Sequence, residues 1–319
     1  MNTTPALVLR RLIGLATTLL LAAFVVFAVL SVLPGDPAAV MLGVGARPDT
    51  LAALRAEMGL DRPVAVRFVS WTGGLFVGDF GVSHTYGVPV LDLVLERAAV
   101  SLPLALLAAG GAVFVGVPLG ALAASQRGGV LDTVLMALAQ VGIAVPSFWL
   151  AIMLSLVFAV GLDWLPAGGF PGWEAGVWPG LRALFLPALA LALPQGAVLA
   201  RVARSAVLEA LHQDYVLTAR MKGLSKGAAL WRHALPNALI PVATVLGLQL
   251  AFLLTGAIVV ENVFYLPGVG RLLFQAIAQR DLITVQGIVV LVVTAVVCIN
   301  FVVDLTYLWL DPRLRTRGA

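Results

Sequence analysis

Residue signatures of several chemistries can be sought in this chain, and most are missing. Its three histidines, His84, His212 and His233, lie on separate segments, and none forms the His-Glu-x-x-His spacing that puts two imidazoles on one helix face. No metal site is expected. Gly223-Leu224-Ser225-Lys226-Gly227 matches the letters of a G-x-S-x-G nucleophile elbow. That motif works only where a strand turns sharply into a helix, with an acid and a histidine arranged around it. Here it lies in a basic segment without strand alternation, so a hydrolase is the weakest reading. A phosphate-binding loop needs Gly-Lys followed by Ser or Thr. The two lysines, Lys222 and Lys226, follow Met221 and Ser225, so any ATP chemistry must come from another chain. Cys298 is the one cysteine; it excludes an intramolecular disulfide and reads as a small core residue in an apolar stretch.

Polar side chains set inside long apolar runs are the second kind of candidate. Asn300, Asp304, Tyr307 and Asp311 fall at i, i+4, i+7 and i+11, one stripe of a helix. Asp at a membrane centre costs about 2.5 to 3.5 kcal/mol on insertion scales, which invites a reason for each such group. The stripe either faces a solute pathway or a partner helix, or bonds to neighbouring backbone and Arg313 near a helix end. The second reading is favoured, because Asp304 lies only about 10 Å from the end at 1.5 Å per residue. Gln140, Gln195 and Gln249 are neutral, sit deeper, and could pair between helices or line a pathway.

These residues need a frame that tolerates an unusual composition. Of 319 residues, 61% are hydrophobic and 11% charged, with a mean hydropathy of +1.03. An ordinary soluble domain carries roughly 25% charged residues. Uncharged stretches run over 12–35, 98–126, 133–162, 183–200, 233–260 and 282–303. Five exceed the roughly 20 residues that cross a bilayer. The fourth is shorter and holds Pro187 and Pro194, but it can begin near Val177 if Arg182 snorkels to the interface. The expected fold is an all-α integral membrane protein with six transmembrane helices. The first stretch, behind Arg10 and Arg11, is too long for the apolar region of a secretory signal and reads as a retained helix.

Net charge of +4 with a pI near 9.7 is spread along the chain, without a basic run for nucleic acid. With the N-terminus inside, twelve of the twenty Lys and Arg residues fall in inner segments, and the short outer loops hold only Arg182, Arg271 and Arg280. The positive-inside bias therefore predicts both termini cytoplasmic. Three regions follow: 1–34, the N-terminal end and first helix; 35–97, a small external subdomain with Trp71, Phe76, Phe80 and Tyr86; and 98–319, a core of five helices. No internal repeat of the kind found in many secondary transporters is visible, and that class, or a channel, is the alternative reading.

The inner connection over 201–235 is the most informative segment. Residues 205–217 carry apolar positions at helical spacing, ending in Leu217, and Gly223 suits a left-handed turn. A second helical stretch is expected to stop at Leu235-Pro236, where the fifth span begins. Helix, glycine turn and helix make an element shaped for a groove on a soluble partner. Two faces of small residues, Ala112/Gly116/Gly120/Ala124 and Ala243/Gly247/Ala251/Thr255, permit close helix contacts, read first as packing within the chain.

Thr218-Ala219-Arg220, Gly223, and Leu235-Pro236 with its thirteen-residue step from the glycine resemble the E-A-A-x-x-x-G loop of bacterial ABC importer permeases. Thr218 stands for the Glu and Arg220 for the second Ala, departures that resemble the peptide branch, as does the run Asp214-Tyr215-Val216-Leu217 before them. The likeness extends to Leu33-Pro34-Gly35-Asp36-Pro37, Gly59-Leu60-Asp61-Arg62-Pro63, Gly78-Asp79-Phe80-Gly81, Glu261-Asn262-Val263-Phe264, Pro267-Gly268-Val269-Gly270, Arg280-Asp281 and Leu310-Asp311-Pro312-Arg313. It covers nearly the whole chain. The resemblance implies a type I ABC importer permease of the dipeptide/oligopeptide/nickel family in the bacterial inner membrane. It also implies a second homologous permease, two cytoplasmic ATPases that bind ATP and Mg, and an external solute-binding protein. Glu209, Asp214, Tyr215, Thr218, Ala219, Arg220 and Gly223 would then form the coupling loop. No cofactor is implied in the chain itself.

Overall fold

The structure is a computed structural model that describes residues 4–32, 37–43 and 47–310, with the side chains of all but 4–11, 37, 40, 41, 57 and 304–310. Asp304 and Tyr307 therefore lie on a described helix with their side chains outside the described residues. Asp311 and the motif segments 33–37 and 311–313 also fall outside them.

Among the described residues every extended element is helical, apart from one antiparallel bridge between Val82 and Pro89. The helices are α1 Thr4–Val32, α2 Pro37–Leu42, α3 Pro48–Glu57, α4 Val64–Phe76, α5 Val90–Ser125, α6 Val130–Ala144 and α7 Ser147–Leu154, the last continued by a π-helical turn Ser155–Gly161. Then come α8 Val177–Leu211, α9 Asp214–Met221, α10 Lys226–Ala229, a π turn Leu230–Ala234, α11 Leu235–Val263, α12 Val269–Ala278 and α13 Leu282–Leu310. Five helical segments are long and apolar enough to cross a membrane: Leu12–Val32, Val90–Ser125, Val177–Leu211, Lys226–Val263 and Leu282–Val303. The fourth span does begin at Val177, and Arg182 donates to the Trp164 carbonyl at 2.7 Å.

The stretch 133–162 departs from expectation. It is two helices, α6 and α7 with its π turn, bent by 100° at Val145-Pro146. A proline pushes the residue before it out of the helical region, and Val145 is extended at φ −83°, ψ 124°. Each arm of about 15 residues spans roughly 22 Å, short of a bilayer core. Counted as one broken span, the pair brings the five crossings to six.

Two compact units divide the chain: Met1–Ala99 with Gly268–Cys298, and Val100–Pro267 with Ile299–Ala319. In the first, Phe27 of α1 meets Phe68 and Trp71 of α4 at ring separations of 5.3 and 5.7 Å. Val90, Leu93, Leu272 and Ile288 form its buried apolar cluster. In the second, α5, α8 and α11 share a core of Leu104, Leu184, Leu191, Leu253, Val260 and Phe264. Cys298 is exposed rather than in a core.

Small residues decide how closely α5 and α8 approach. A Cβ on Gly116 would lie 2.5 Å from the Gly196 carbonyl oxygen, and one on Gly120 would lie 2.4 Å from that of Ala200. The first small-residue face is thus intramolecular packing. The second is split: Gly247 packs directly on Val303, where a Cβ would meet a methyl at 2.2 Å, whereas Ala243 and Thr255 are exposed.

Candidate functional site

The segment after α8 builds the site from a sharp change of direction. α8 carries Glu209 in its last turn and ends at Leu211. Gln213 then turns extended at φ −78°, ψ 147° and starts α9, its carbonyl accepting from the amides of Val216 and Leu217. The single helix expected over 205–217 is therefore two, because His212 and Gln213 leave the helical path while the apolar period runs on across the break. His212 Nδ1 lies 2.6 Å from the Leu208 carbonyl, which caps the end of α8.

α9 is held by one buried anchor. Val216 has 0% exposure and packs with Ala210, Ala229 and Ala234. Its neighbours face outward: Asp214, Thr218 and Arg220 are exposed, Ala219 is partly so, and Tyr215, Leu217 and Met221 are 43%, 43% and 89% exposed. Gly223 follows with φ +97° and no heavy atom within 4 Å of a Cβ built on it. Its requirement is conformational rather than steric, since L side chains are disfavoured in the left-handed region. Counted back from this turn, the spacing E-A-A-x-x-x-G begins at Leu217. Leu217, Thr218 and Ala219 thus take the three motif positions, one residue earlier than Thr218-Ala219-Arg220.

Ser225 is a helix cap. Its Oγ accepts from the Ala228 amide at 3.2 Å at the start of α10, on a helix-to-helix turn without a strand. The following helix does not stop at Leu235-Pro236. It passes through the π turn Leu230–Ala234, and Pro236 sits in the first turn of α11, where a missing N–H is tolerated.

Behind this loop α6 and α8 are tied by a charged pair. Arg204 donates from Nε to Asp132 Oδ1 at 2.5 Å and from Nη2 to Oδ2 at 2.7 Å, while the Gly128 amide reaches Oδ2 at 2.9 Å. About two turns along α6, Gln140 accepts from Arg201 at 3.3 Å. Gln140 is exposed, and this bond joins α6 to α8. Sequence reading missed Asp132, which stands just before the uncharged stretch. The available signal was a lone carboxylate in the first turn of a helix, opposite the Arg201 and Arg204 pair toward the end of α8.

The deeper polar residues separate. Gln249, 4% exposed, donates to the Gln195 carbonyl at 3.3 Å, so Gln195 contributes backbone rather than side chain. Gln249 Oε1 and Asn300 Oδ1 are buried without a hydrogen-bond partner among the described residues. Glu261 is fully buried and accepts from Ser101 Oγ at 2.5 Å. In the other unit, Asp281 caps α13: its Oδ1 accepts from the Thr284 amide at 3.2 Å, and Oδ2 accepts from Ser83 Oγ, Thr284 Oγ1 and the Thr85 amide at 2.5, 2.8 and 3.2 Å. Burial raises the Asp281 pKa, but these hydrogen bonds outweigh it and hold the carboxyl below its usual range.

Two family patterns match the chain. One described as binding-protein-dependent transport system inner membrane component covers residues 116–316, and its N-terminal counterpart covers 6–105. A permease protein of Brucella abortus (strain 2308), named for a peptide transport system, is 43% identical over 97% of this chain and 99% of its own length. The glutathione transport system permease protein of Salmonella choleraesuis (strain SC-B67) is 40% identical over 97% and 98%. A solved chain of the MetNI methionine ABC transporter, in an inward-facing conformation, aligns over 69% of this chain and 96% of its own with a TM-score of 0.58. At 18% identity that likeness shows the fold alone.

Proposed function

The chain belongs to the family of binding-protein-dependent transport system inner membrane components, the permeases of ABC transporters, and from that premise we propose that it imports peptides by coupling its bent helix core to separate ATPases. As a component of a multi-subunit transport system it is a translocation subunit, not a self-contained carrier. A second homologous permease completes the gate, two ATPases bind ATP and Mg, and an external binding protein delivers the solute. The charge distribution supports an N-terminus and C-terminus in the cytoplasm, which puts α9 on the ATPase side and residues 35–97 outside.

One observation carries the coupling role: α9 turns Tyr215, Leu217 and Met221 outward, and Val216 is its one buried side chain. A short helix that leaves Tyr215, Leu217 and Met221 uncovered beside the polar Asp214 and Thr218, bounded by a hinge at His212-Gln213 and a glycine turn, fits a groove on a soluble protein. Movement of that helix is passed to the spans through α8, whose end is braced by Asp132 and Arg204. The absence of any Gly-Lys dipeptide requires the nucleotide to sit elsewhere.

The names of the relatives support di- or oligopeptides, since glutathione is itself a tripeptide. Substrate selection falls chiefly to the binding protein. The test is a deletion across 215–223 in the permease, reconstituted in vesicles with its partners: ATP-dependent uptake is expected to be lost and any remaining hydrolysis to be uncoupled from it, with membrane insertion intact. Normal substrate-stimulated uptake would refute the proposal.

A further inference from the structure

A second site lies within the unit formed by Met1–Ala99 and Gly268–Cys298. A cavity of about 610 Å³ opens between the last turns of α1, the Gly59–Arg62 turn, α4, the segment around His84 and the residues preceding α13. Arg62, Arg67 and Arg280 line it together with His84, and no carboxylate is among the described lining residues. Among the described residues none of the three guanidiniums has a carboxylate within 4.0 Å. Asp281, adjacent to Arg280, is not among the lining residues, and its oxygens accept from Ser83, Thr85 and Thr284 rather than from a guanidinium. His84 Nε2 is buried without a hydrogen-bond partner. Arg280 takes φ +56° as the left-handed residue that closes α12, its amide donating to the Ile277 carbonyl at 3.1 Å and the next amide, that of Asp281, to the Ala276 carbonyl at 2.9 Å. Among the described residues three guanidiniums thus line one space without a carboxylate partner, a repulsion that an entering anion would relieve.

The walls indicate where the anion comes from. Arg67 lies over the Phe27 ring at 6.0 Å, and Phe27 packs with Trp71 at the end of an apolar helix whose Leu20, Leu21, Phe24, Val25 and Val29 are exposed. Aromatic rings at the end of a spanning run mark the depth of lipid headgroups. A lipid whose chains lie along the exposed face of α1 would bring its phosphate to this mouth. Guanidinium forks match phosphate oxygens, whereas a headgroup amine would add a fourth cation to three.

We infer that this cavity is a binding site for the headgroup of an anionic phospholipid, with Arg62, Arg67 and Arg280 as its phosphate ligands and the exposed side of α1 as the track for its acyl chains. The inference does not depend on the transported solute. It is tested by purifying the full chain from mixed phosphatidylglycerol and phosphatidylcholine and measuring retained lipid by native mass spectrometry. The wild-type chain is expected to retain phosphatidylglycerol preferentially. Arg67→Gln/Arg280→Gln should lose that preference by about fivefold per guanidinium, while Arg67→Lys/Arg280→Lys keeps most of it. Arg62→Gln, on an exposed turn, gives an independent reading should the double variant fail to fold, and all variants are compared with wild type for thermal unfolding in phosphatidylcholine alone. Equal retention of both lipids, or an unchanged preference in the Gln variants, would overturn the site. Displacement of the lipid by soluble glycerol phosphate at similar concentration would assign the cavity to a free anion instead. Unchanged lipid retention with lost stimulation by the binding protein would assign it to a protein contact, and also overturns the inference.

Discussion

Asp132 and Arg204 face each other across α6 and α8 in a two-pronged hydrogen bond of 2.5 and 2.7 Å. Asp132 is buried and its second oxygen also takes the Gly128 amide, so the turn before α6 is fixed by the same carboxylate. Removing one member leaves the other charge without its partner. Asp132→Asn or Arg204→Gln should each destabilise the purified protein by about 1 to 3 kcal/mol, below the full buried-pair figure because Arg204 is partly exposed. The double variant Asp132→Asn/Arg204→Gln should cost less than the sum of the two. Thermal unfolding in detergent gives the coupling; strict additivity would mean the pair does not act as a unit.

The crossing of α5 and α8 makes a sharper steric prediction. Gly120→Ala places a methyl against the Ala200 carbonyl, and Gly116→Ala places one against that of Gly196; neither obstacle is a flexible side chain. Both should lower the folded yield and cost about 1 to 3 kcal/mol through forced separation of the helices. Gly110→Ala, on the same helix with open space around it, should be neutral or mildly stabilising. Detergent-resistant, monodisperse protein recovered on size-exclusion chromatography ranks the three.

Asp281 predicts a dependence on pH. Its folded pKa lies below the ordinary carboxylate value, so the stability it supplies is present in full above about pH 4 and is lost as pH falls through the lowered folded value. Asp281→Asn retains an oxygen for Ser83 and Thr284 Oγ1 but turns an NH₂ toward a backbone donor or gives up one of these bonds. Unfolding followed from pH 7 to pH 3 should show an acid loss in the wild type that is smaller in Asp281→Asn. At pH 7 the variant should already be less stable by about 1 to 3 kcal/mol. Identical acid profiles would remove Asp281 from the account.

The parts of this structure legible in the sequence are those fixed by local composition. Apolar runs longer than a bilayer located the spans, and Arg182 with the prolines behind it still left Val177 as the start of α8. Gly223 announced its turn, and the spacing of Gly116 and Gly120 announced a close crossing. What escaped depends on interactions between segments or on a single residue overriding a pattern. Pro146 bends an uninterrupted apolar run by 100°, where hydropathy registers nothing. The period of Ala206, Val207, Ala210, Leu211, Asp214 and Leu217 crosses a chain reversal unbroken, because Val216 packs back on Ala210 from a separate helix. Pro236 looked like a stop, yet the π turn before it lets the helix continue. Asp132 and Arg204 are 72 residues apart, and no local rule joins them.

The central claim, that α9 seats the ATPase, is tested most directly by charging its outward face. Tyr215 and Met221 are exposed, so Tyr215→Glu/Met221→Glu should leave the fold and the thermal unfolding of the isolated permease unchanged. Co-purification of the ATPase subunits with the tagged variant measures what that face does. The account predicts that the ATPases are lost from the complex, together with ATP-dependent uptake; full recovery of the ATPases with normal uptake would contradict it.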